Sequence, residues 1–167
     1  EDREIVVELA CLRDGAQPVV RGSRRLQLAA RQGVTLAATE LFGAFFDTAY
    51  AFRFGPPSHN VTVARLKDAN DGVAAEAFHF PLGRAAALGE AVVQARLCEE
   101  GEGWSLVLSS DRLAQSVHVD APGFRPSDNW FHLAPGGERR IRLSPLHDGA
   151  VPSGEVRALN CRAPVRF

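Results

Sequence analysis

The 167-residue chain predicts an all-β protein made of two small antiparallel sandwiches, and three observations carry that expectation. Apolar residues recur at every second position in many short runs, glycine-bearing turn signals separate those runs, and only two brief segments read as helical. Parallel α/β sheets need a crossover helix after most strands, so that architecture is excluded.

The first strand sets Ile5, Val7 and Leu9 on one face and Glu4, Val6 and Glu8 on the other. The same alternation recurs at Tyr50, Phe52 and Phe54, at Val61 and Val63, at Phe78 and Phe80, and at Val93, Ala95 and Leu97. It returns at Val117 and Val119 and at Ile141 and Leu143. Turns are expected at Asp14-Gly15, Gly55-Pro56-Pro57, Asp71-Gly72, Glu100-Gly101, Pro122-Gly123, Pro135-Gly136-Gly137 and Asp148-Gly149. The helical segments, Ala38 to Gly43 and Arg84 to Leu88, are each little more than a turn, too short to form a layer.

The second of these follows Pro81-Leu82-Gly83 and reads as a connector, which divides the chain into residues 1–83 and 84–167. Each half is slightly shorter than the roughly 100 residues of an immunoglobulin-like sandwich. Because the chain opens directly in a strong strand, the first half is expected to lack an N-terminal strand. An unpaired edge there would invite self-association.

Net charge is −1, with 46% hydrophobic and 23% charged residues, an ordinary globular balance without the basic field that gathers nucleic acid. The clusters Arg21, Arg24, Arg25 and Arg139, Arg140, Arg142 read as solvated. Apolar stretches such as Ala85 to Leu88 fall far short of the roughly twenty residues that cross a bilayer, so no membrane span is expected. A chain that starts at Glu1 and has no methionine reads as a fragment or processed product, and no signal peptide is visible in it. Cys11, Cys98 and Cys161 form no Cys-x-x-Cys pair and have no histidine at ligand spacing, so no zinc site and no cofactor is expected. Free cysteines of this kind suit a reducing, cytoplasmic setting.

Several stretches resemble the end of β-mannosidases of glycoside hydrolase family 2, especially bacterial ones. They are FFDTAYAFRFGPPSHNVTVARL (Phe45 to Leu66), EAFHFPLG (Glu76 to Gly83), AQSVHVDAPGF (Ala114 to Phe124), PSDNWFHLAPGGERRIRL (Pro126 to Leu143) and GEVRALN (Gly154 to Asn160). The most specific feature is Ser127-Asp128-Asn129 with the aromatics after it, followed by Leu133, Pro135-Gly136-Gly137 and Glu138. Read physically, the first three residues make a side-chain-capped turn, Trp130 to Leu133 a short strand, and Pro135-Gly136-Gly137 a tight reversal into the Arg140 to Leu143 strand. The resemblance implies a retaining enzyme that removes terminal β-mannose, with a catalytic barrel ahead of two immunoglobulin-like domains, this chain being those domains. The barrel and N-terminal domains of the parent chain would then be its partners, with mannosides nearby. The family's catalytic glutamates lie on the barrel, and none carries over to this chain.

Retaining glycoside hydrolysis needs two carboxyl groups about 5 Å apart across a sugar pocket. Glu99, Glu100 and Glu102 crowd a turn expected to be solvated, and Glu40 and Glu76 stand alone at surface or cap positions. His118 and Asp120 share a strand face but lack a third ligand for a metal. Ser109-Ser110-Asp111 lacks the glycine-flanked turn of a hydrolase serine. The candidate carbohydrate or interface contacts are the aromatics Trp104, Phe124, Trp130 and Phe131, with Gly55 to His59 as a second contact loop. The leading function is a non-catalytic accessory and interface module; the alternative is a carbohydrate-binding module using exposed aromatics. An adhesive tandem of immunoglobulin domains fits less well, because neither half holds a bridging cystine pair at suitable strand positions.

Overall fold

The computed structural model of the chain describes residues 2–52, 55–70, 72–101, 103–147 and 151–167. Twelve strands lie among them in three antiparallel sheets, and the chain divides into two compact units, Glu1–Ala87 and Leu88–Phe167. Phe54, Asp71, Glu102, Asp148 and Gly149, which figure in the sequence expectations, lie outside the described residues.

Unit 1 holds a four-stranded sheet in the order β2-β1-β3-β4, from β1 (Arg3–Arg13), β2 (Gln17–Leu28), β3 (Val61–Asp68) and β4 (Val73–His79). Strand β1 is paired on both sides, by β2 and by β3, so the edge expected at the first strand does not exist; β2 and β4 are the edges. Alternation does not reveal β2, because Arg21, Gly22, Arg24 and Arg25 interrupt it. Its position follows from the turn instead. Asp14 and Gly15 take φ of 54° and 66°, and the Ala16 N–H donates to the Arg13 carbonyl at 3.1 Å. Two consecutive positive φ values make a type I′ hairpin, which suits the twist of the strands it joins.

The register sets Ile5 opposite Leu26 and Val7 opposite Leu66 on one face of this sheet. The short helix α1 (Ala38–Phe42) packs on that apolar face at Gly22, where a Cβ would stand 1.9 Å from the Leu41 carbonyl oxygen. Only glycine permits so close a backbone approach. The opposite face carries a ladder of ion pairs: Lys67 to Glu8 at 3.0 Å, Arg65 to Glu76 at 2.7 Å, and Arg25 to Glu4. The strand expected at Tyr50 and Phe52 does not form. Tyr50 takes a φ of 53° and the segment is a loop. The expected connector forms a 3-10 helix, Arg84–Ala87.

Unit 2 contains two four-stranded sheets. One has the order β5-β6-β10-β8, from β5 (Val93–Glu100), β6 (Gly103–Ser110), β10 (Glu138–Pro145) and β8 (Phe124–Pro126). The other is β12-β11-β7-β9, from β12 (Val165–Arg166), β11 (Glu155–Arg157), β7 (Ala114–Asp120) and β9 (Phe131–Leu133). Leu106, Leu108, Ile141 and Leu143 of the first sheet form one buried cluster with Val117, Val119, Phe131, Leu133 and Val156 of the second. Burial of each such side chain contributes about 1.5–3 kcal/mol, which makes this cluster the main favourable term in the unit. Strand β6 shows no alternation because Leu106, Val107 and Leu108 are all buried.

Pro135-Gly136-Gly137 is not a hairpin turn. It carries the chain from β9 to β10, which belong to different sheets, so its strands never pair. Pro122-Gly123 does the same between β7 and β8. Crossings of this kind leave peptide groups without strand partners, and Asn160, only 8% exposed, supplies some of them. Its Nδ2 donates to the carbonyls of Gly89 at 2.7 Å and Leu113 at 2.8 Å, and its Oδ1 accepts the Gln115 N–H at 2.8 Å.

Asn160→Leu keeps the volume but leaves three peptide groups without their side-chain partner, those of Leu113 and Gln115 buried and that of Gly89 part-buried. Denaturant unfolding should show a loss of about 2–4 kcal/mol. Arg162→Ala, at an exposed neighbouring position, should stay within about 0.5 kcal/mol of wild type.

Candidate functional site

The sequence-selected aromatics separate by environment. Phe124 and Phe131 are buried in the core of unit 2, and Trp104 packs half-buried against the same cluster. Phe124 and Phe131 therefore offer no open ring to a sugar. Arg139 lies over the Phe131 ring at 4.2 Å from its centroid and pairs with Asp128. Trp130 alone of the four stands in solvent, at 65% exposure.

Strand pairing explains where Trp130 sits. Val117 pairs with Phe131, so continuing the antiparallel register sets Trp130 opposite His118 and Asn129 opposite Val119. The backbone leaves the sheet at Trp130, whose φ is 62°, and the Asn129 side chain completes the pairing in its place. Asn129 Oδ1 accepts the Val119 N–H at 2.8 Å, and Nδ2 donates to the Val119 carbonyl at 3.0 Å. The preceding residues brace this arrangement: Asp128 Oδ1 accepts the Asn129 N–H at 2.7 Å, and Ser127 Oγ accepts the Arg142 N–H at 3.0 Å. The side-chain-capped turn read at Ser127-Asp128-Asn129 is thus present, with a further bond across to β7.

The indole stacks on the His118 imidazole, with centroids 4.4 Å apart and planes inclined by 24°. His118 points outward because Val117 and Val119 on either side point into the core. On the same outer face, β11 sets Arg157 opposite His118 and Glu155 opposite Asp120. Arg157 Nε donates to Glu155 at 2.9 Å. His118 and Asp120 thus share a face as expected. Among the described residues no group of three or more His, Cys, Asp or Glu side chains is placed to hold a metal.

In unit 1 the loop before β3 is organised by two side chains. Asp47 accepts the N–H groups of Ala49 at 3.2 Å, Ala51 at 3.0 Å and Phe52 at 2.9 Å, and this capture draws Tyr50 and Phe52 out of any strand. The same bonds, led by that from Phe52, hold its carboxyl below the usual range against a smaller opposing effect of burial. His59, 3% exposed, donates from Nε2 to the Thr48 carbonyl at 3.2 Å and accepts from Ser58 Oγ at Nδ1 at 3.0 Å. Burial pushes the His59 pKa down and His79 adds to this, while the Thr48 bond and the charge of Asp47 oppose it. Phe45 and Phe52 meet edge to face on this loop, 5.3 Å between centroids, and both are exposed.

Three of the carboxylates considered for catalysis, Glu40, Glu76 and Glu100, are committed elsewhere. Glu40 accepts the Ala37 N–H at 2.9 Å at the start of α1 and pairs with Arg24 at 3.0 Å, the cap position expected of it. Glu76 pairs with Arg65, and Glu100 accepts from Ser105 Oγ at 2.8 Å and pairs with Arg140. Cys11, Cys98 and Cys161 are all free thiols, and burial raises the pKa of Cys11 and of Cys161. An open groove of about 530 Å³ at one end of the unit 1 sheet mixes both charge signs, with Arg3, Arg31 and Lys67 beside Glu4 and Asp68. No helix among the described residues is long and apolar enough to cross a membrane.

Residues 88–161 match the family model of the mannosidase immunoglobulin-fold domain. Among solved structures, the chain is similar to the β-D-mannosidase of Dictyoglomus thermophilum, with a TM-score of 0.73 and 17% identity over 97% of this chain and 19% of that one. It is also similar to the exo-chitosanase of Amycolatopsis orientalis, with a TM-score of 0.65 and 11% identity over 100% of this chain and 24% of that one. The chain therefore spans about a fifth to a quarter of the length of these neighbours. Comparison with curated proteins by sequence gives no match.

Because His59 is held neutral by burial, the unfolded chain takes up a proton first as pH falls through the ordinary value of about 6.5. Its contribution to stability is present above that pH and is lost as pH falls through the lower folded value. The melting temperature of unit 1 should drop between pH 7 and 5.5, and His59→Gln should flatten the drop. An unchanged slope in the variant would contradict this.

Proposed function

We propose, from the mannosidase-type immunoglobulin-fold domain over residues 88–161, that this chain is a non-catalytic accessory and interface part of a family 2 β-mannosidase. The parent enzyme removes terminal β-D-mannose with retention, and its catalytic barrel and N-terminal domains are the partners of this chain. The observation that carries the reading is the family match in unit 2, and a fold likeness extending over 97% of the chain supports it. The commitment of Glu40, Glu76 and Glu100 to caps and ion pairs supports a non-catalytic role, since a retaining mechanism needs one carboxyl protonated and a second one free to attack. The domain division falls in the connector between Gly83 and Leu88. Three free thiols suit a reducing cytoplasm.

Two assays test this reading. The purified 167-residue chain should give no turnover of 4-nitrophenyl β-D-mannopyranoside. Hydrolysis proportional to its concentration would place catalysis in this chain after all. The full-length enzyme should cleave the β-mannoside in preference to the corresponding β-D-glucosaminide, and the reverse preference would replace the mannosidase assignment with a chitosanase-like one.

A further inference from the structure

Trp130 combines two features that ordinary folding does not reward together. Its φ of 62° lies in the left-handed region, which costs a large non-glycine residue conformational energy. Its indole, among the most favourable groups to bury, stays 65% exposed. A glycine at this position would relieve the backbone at no loss of core packing. Strain kept without burial marks a residue held for contact with something outside the fold.

The surroundings define what that contact can be. One face of the indole stacks on His118, with centroids 4.4 Å apart, and the residue keeps most of its surface in solvent. The outer face of the same sheet adds Asp120 and Glu155, opposite each other, and Arg157, opposite His118. Asp120 has no ion-pair partner among the described residues, so its carboxylate is available as an acceptor. The arrangement is a flat ring stacked on a residue of a sheet face that also carries hydrogen-bonding groups of both kinds. A pyranose has the matching chemistry, with an apolar C–H face to lie on the ring and hydroxyls to pair with carboxylate and guanidinium groups of the same sheet face. A protein partner is favoured less, because docking surfaces centre on apolar area depleted of charge, whereas the sheet face shared with His118 carries Asp120, Glu155 and Arg157.

We infer that Trp130, stacked on His118 of a sheet face that also carries Asp120, Glu155 and Arg157, forms a non-catalytic pyranoside-binding platform on the outer face of the β7 sheet. The choice of sugar as ligand rests on the reading of this chain as part of a glycosidase, whereas the platform itself rests on the geometry. Its role is to hold a saccharide chain, with no bond made or broken.

Calorimetric titration of the 167-residue chain with mannotetraose tests this, paired with the chemical shift of the Trp130 indole N–H. Wild type should bind saturably and shift that resonance. Trp130→Ala should bind about tenfold more weakly, as expected for loss of one stacked ring, and Trp104→Phe should bind as wild type. Trp130→Gly should lose binding while its melting temperature holds or rises. The inference is overturned by a flat wild-type titration, by Trp130→Ala binding within about twofold of wild type, or by a fall in melting temperature of Trp130→Gly, which would make the residue structural. A flat sugar titration together with weakened association of Trp130→Ala with the rest of the enzyme would reassign the face to protein contact. None of these results bears on the turnover assays that test the accessory-domain reading.

Discussion

Unit 2 depends on one constraint: a chain that packs two sheets face to face must cross between them, and each crossing removes peptide groups from strand pairing. Left unpaired beside the core, such groups would cost about 1–3 kcal/mol each, comparable to the gain from burying a core leucine. Two asparagines meet this demand with side-chain amides, which donate and accept as a peptide does. Asn160 holds Gly89, Leu113 and Gln115 together where the start and end of the unit come close. Asn129 pairs with both backbone groups of Val119 at a point where its own backbone has left the sheet.

The second of these has a consequence at the surface. With Asn129 completing the ladder, the next residue is free to take a conformation no strand allows, and the Trp130 indole comes to rest on His118 outside the sheet. Core, crossing and exposed ring are thus linked through neighbouring residues: Phe131 points in, Trp130 points out, and Asn129 fixes the change of direction. Unit 1 uses a related device, since Asp47 gathers three backbone N–H groups and a buried neutral His59 closes the loop above β3. In both units polar side chains replace secondary structure where the backbone turns away from it.

Half-buried strands were legible in the sequence because one face met water: Ile5 to Leu9, Val93 to Leu97 and Ile141 to Leu143 all form as alternation predicts. Strands at the two extremes of burial were not. Arginines on the edge strand β2 hid its period, and continuous burial in β6 removed it. The Tyr50 and Phe52 alternation misled because three side-chain bonds from Asp47 outweigh a local preference. Turn residues announced reversals but not their destinations, so Pro135-Gly136-Gly137 read as a hairpin although its strands lie in different sheets. Of the candidate site, Trp130 was visible as an aromatic beside a turn. Its stack on His118 was not, since that contact needs the β7–β9 register, a long-range property no local pattern encodes.

Amide hydrogen exchange tests most directly whether side-chain amides stand in for strand pairing at the crossings. The Gln115 and Val119 N–H groups should exchange as slowly as core-strand amides, although both donate to asparagine side chains. Asn129→Ala should speed exchange at Val119 by roughly tenfold or more, the loss of one hydrogen bond, with Gln115 unchanged. Rapid exchange at Val119 in the wild-type chain, or a rate there indifferent to Asn129→Ala, would contradict the account.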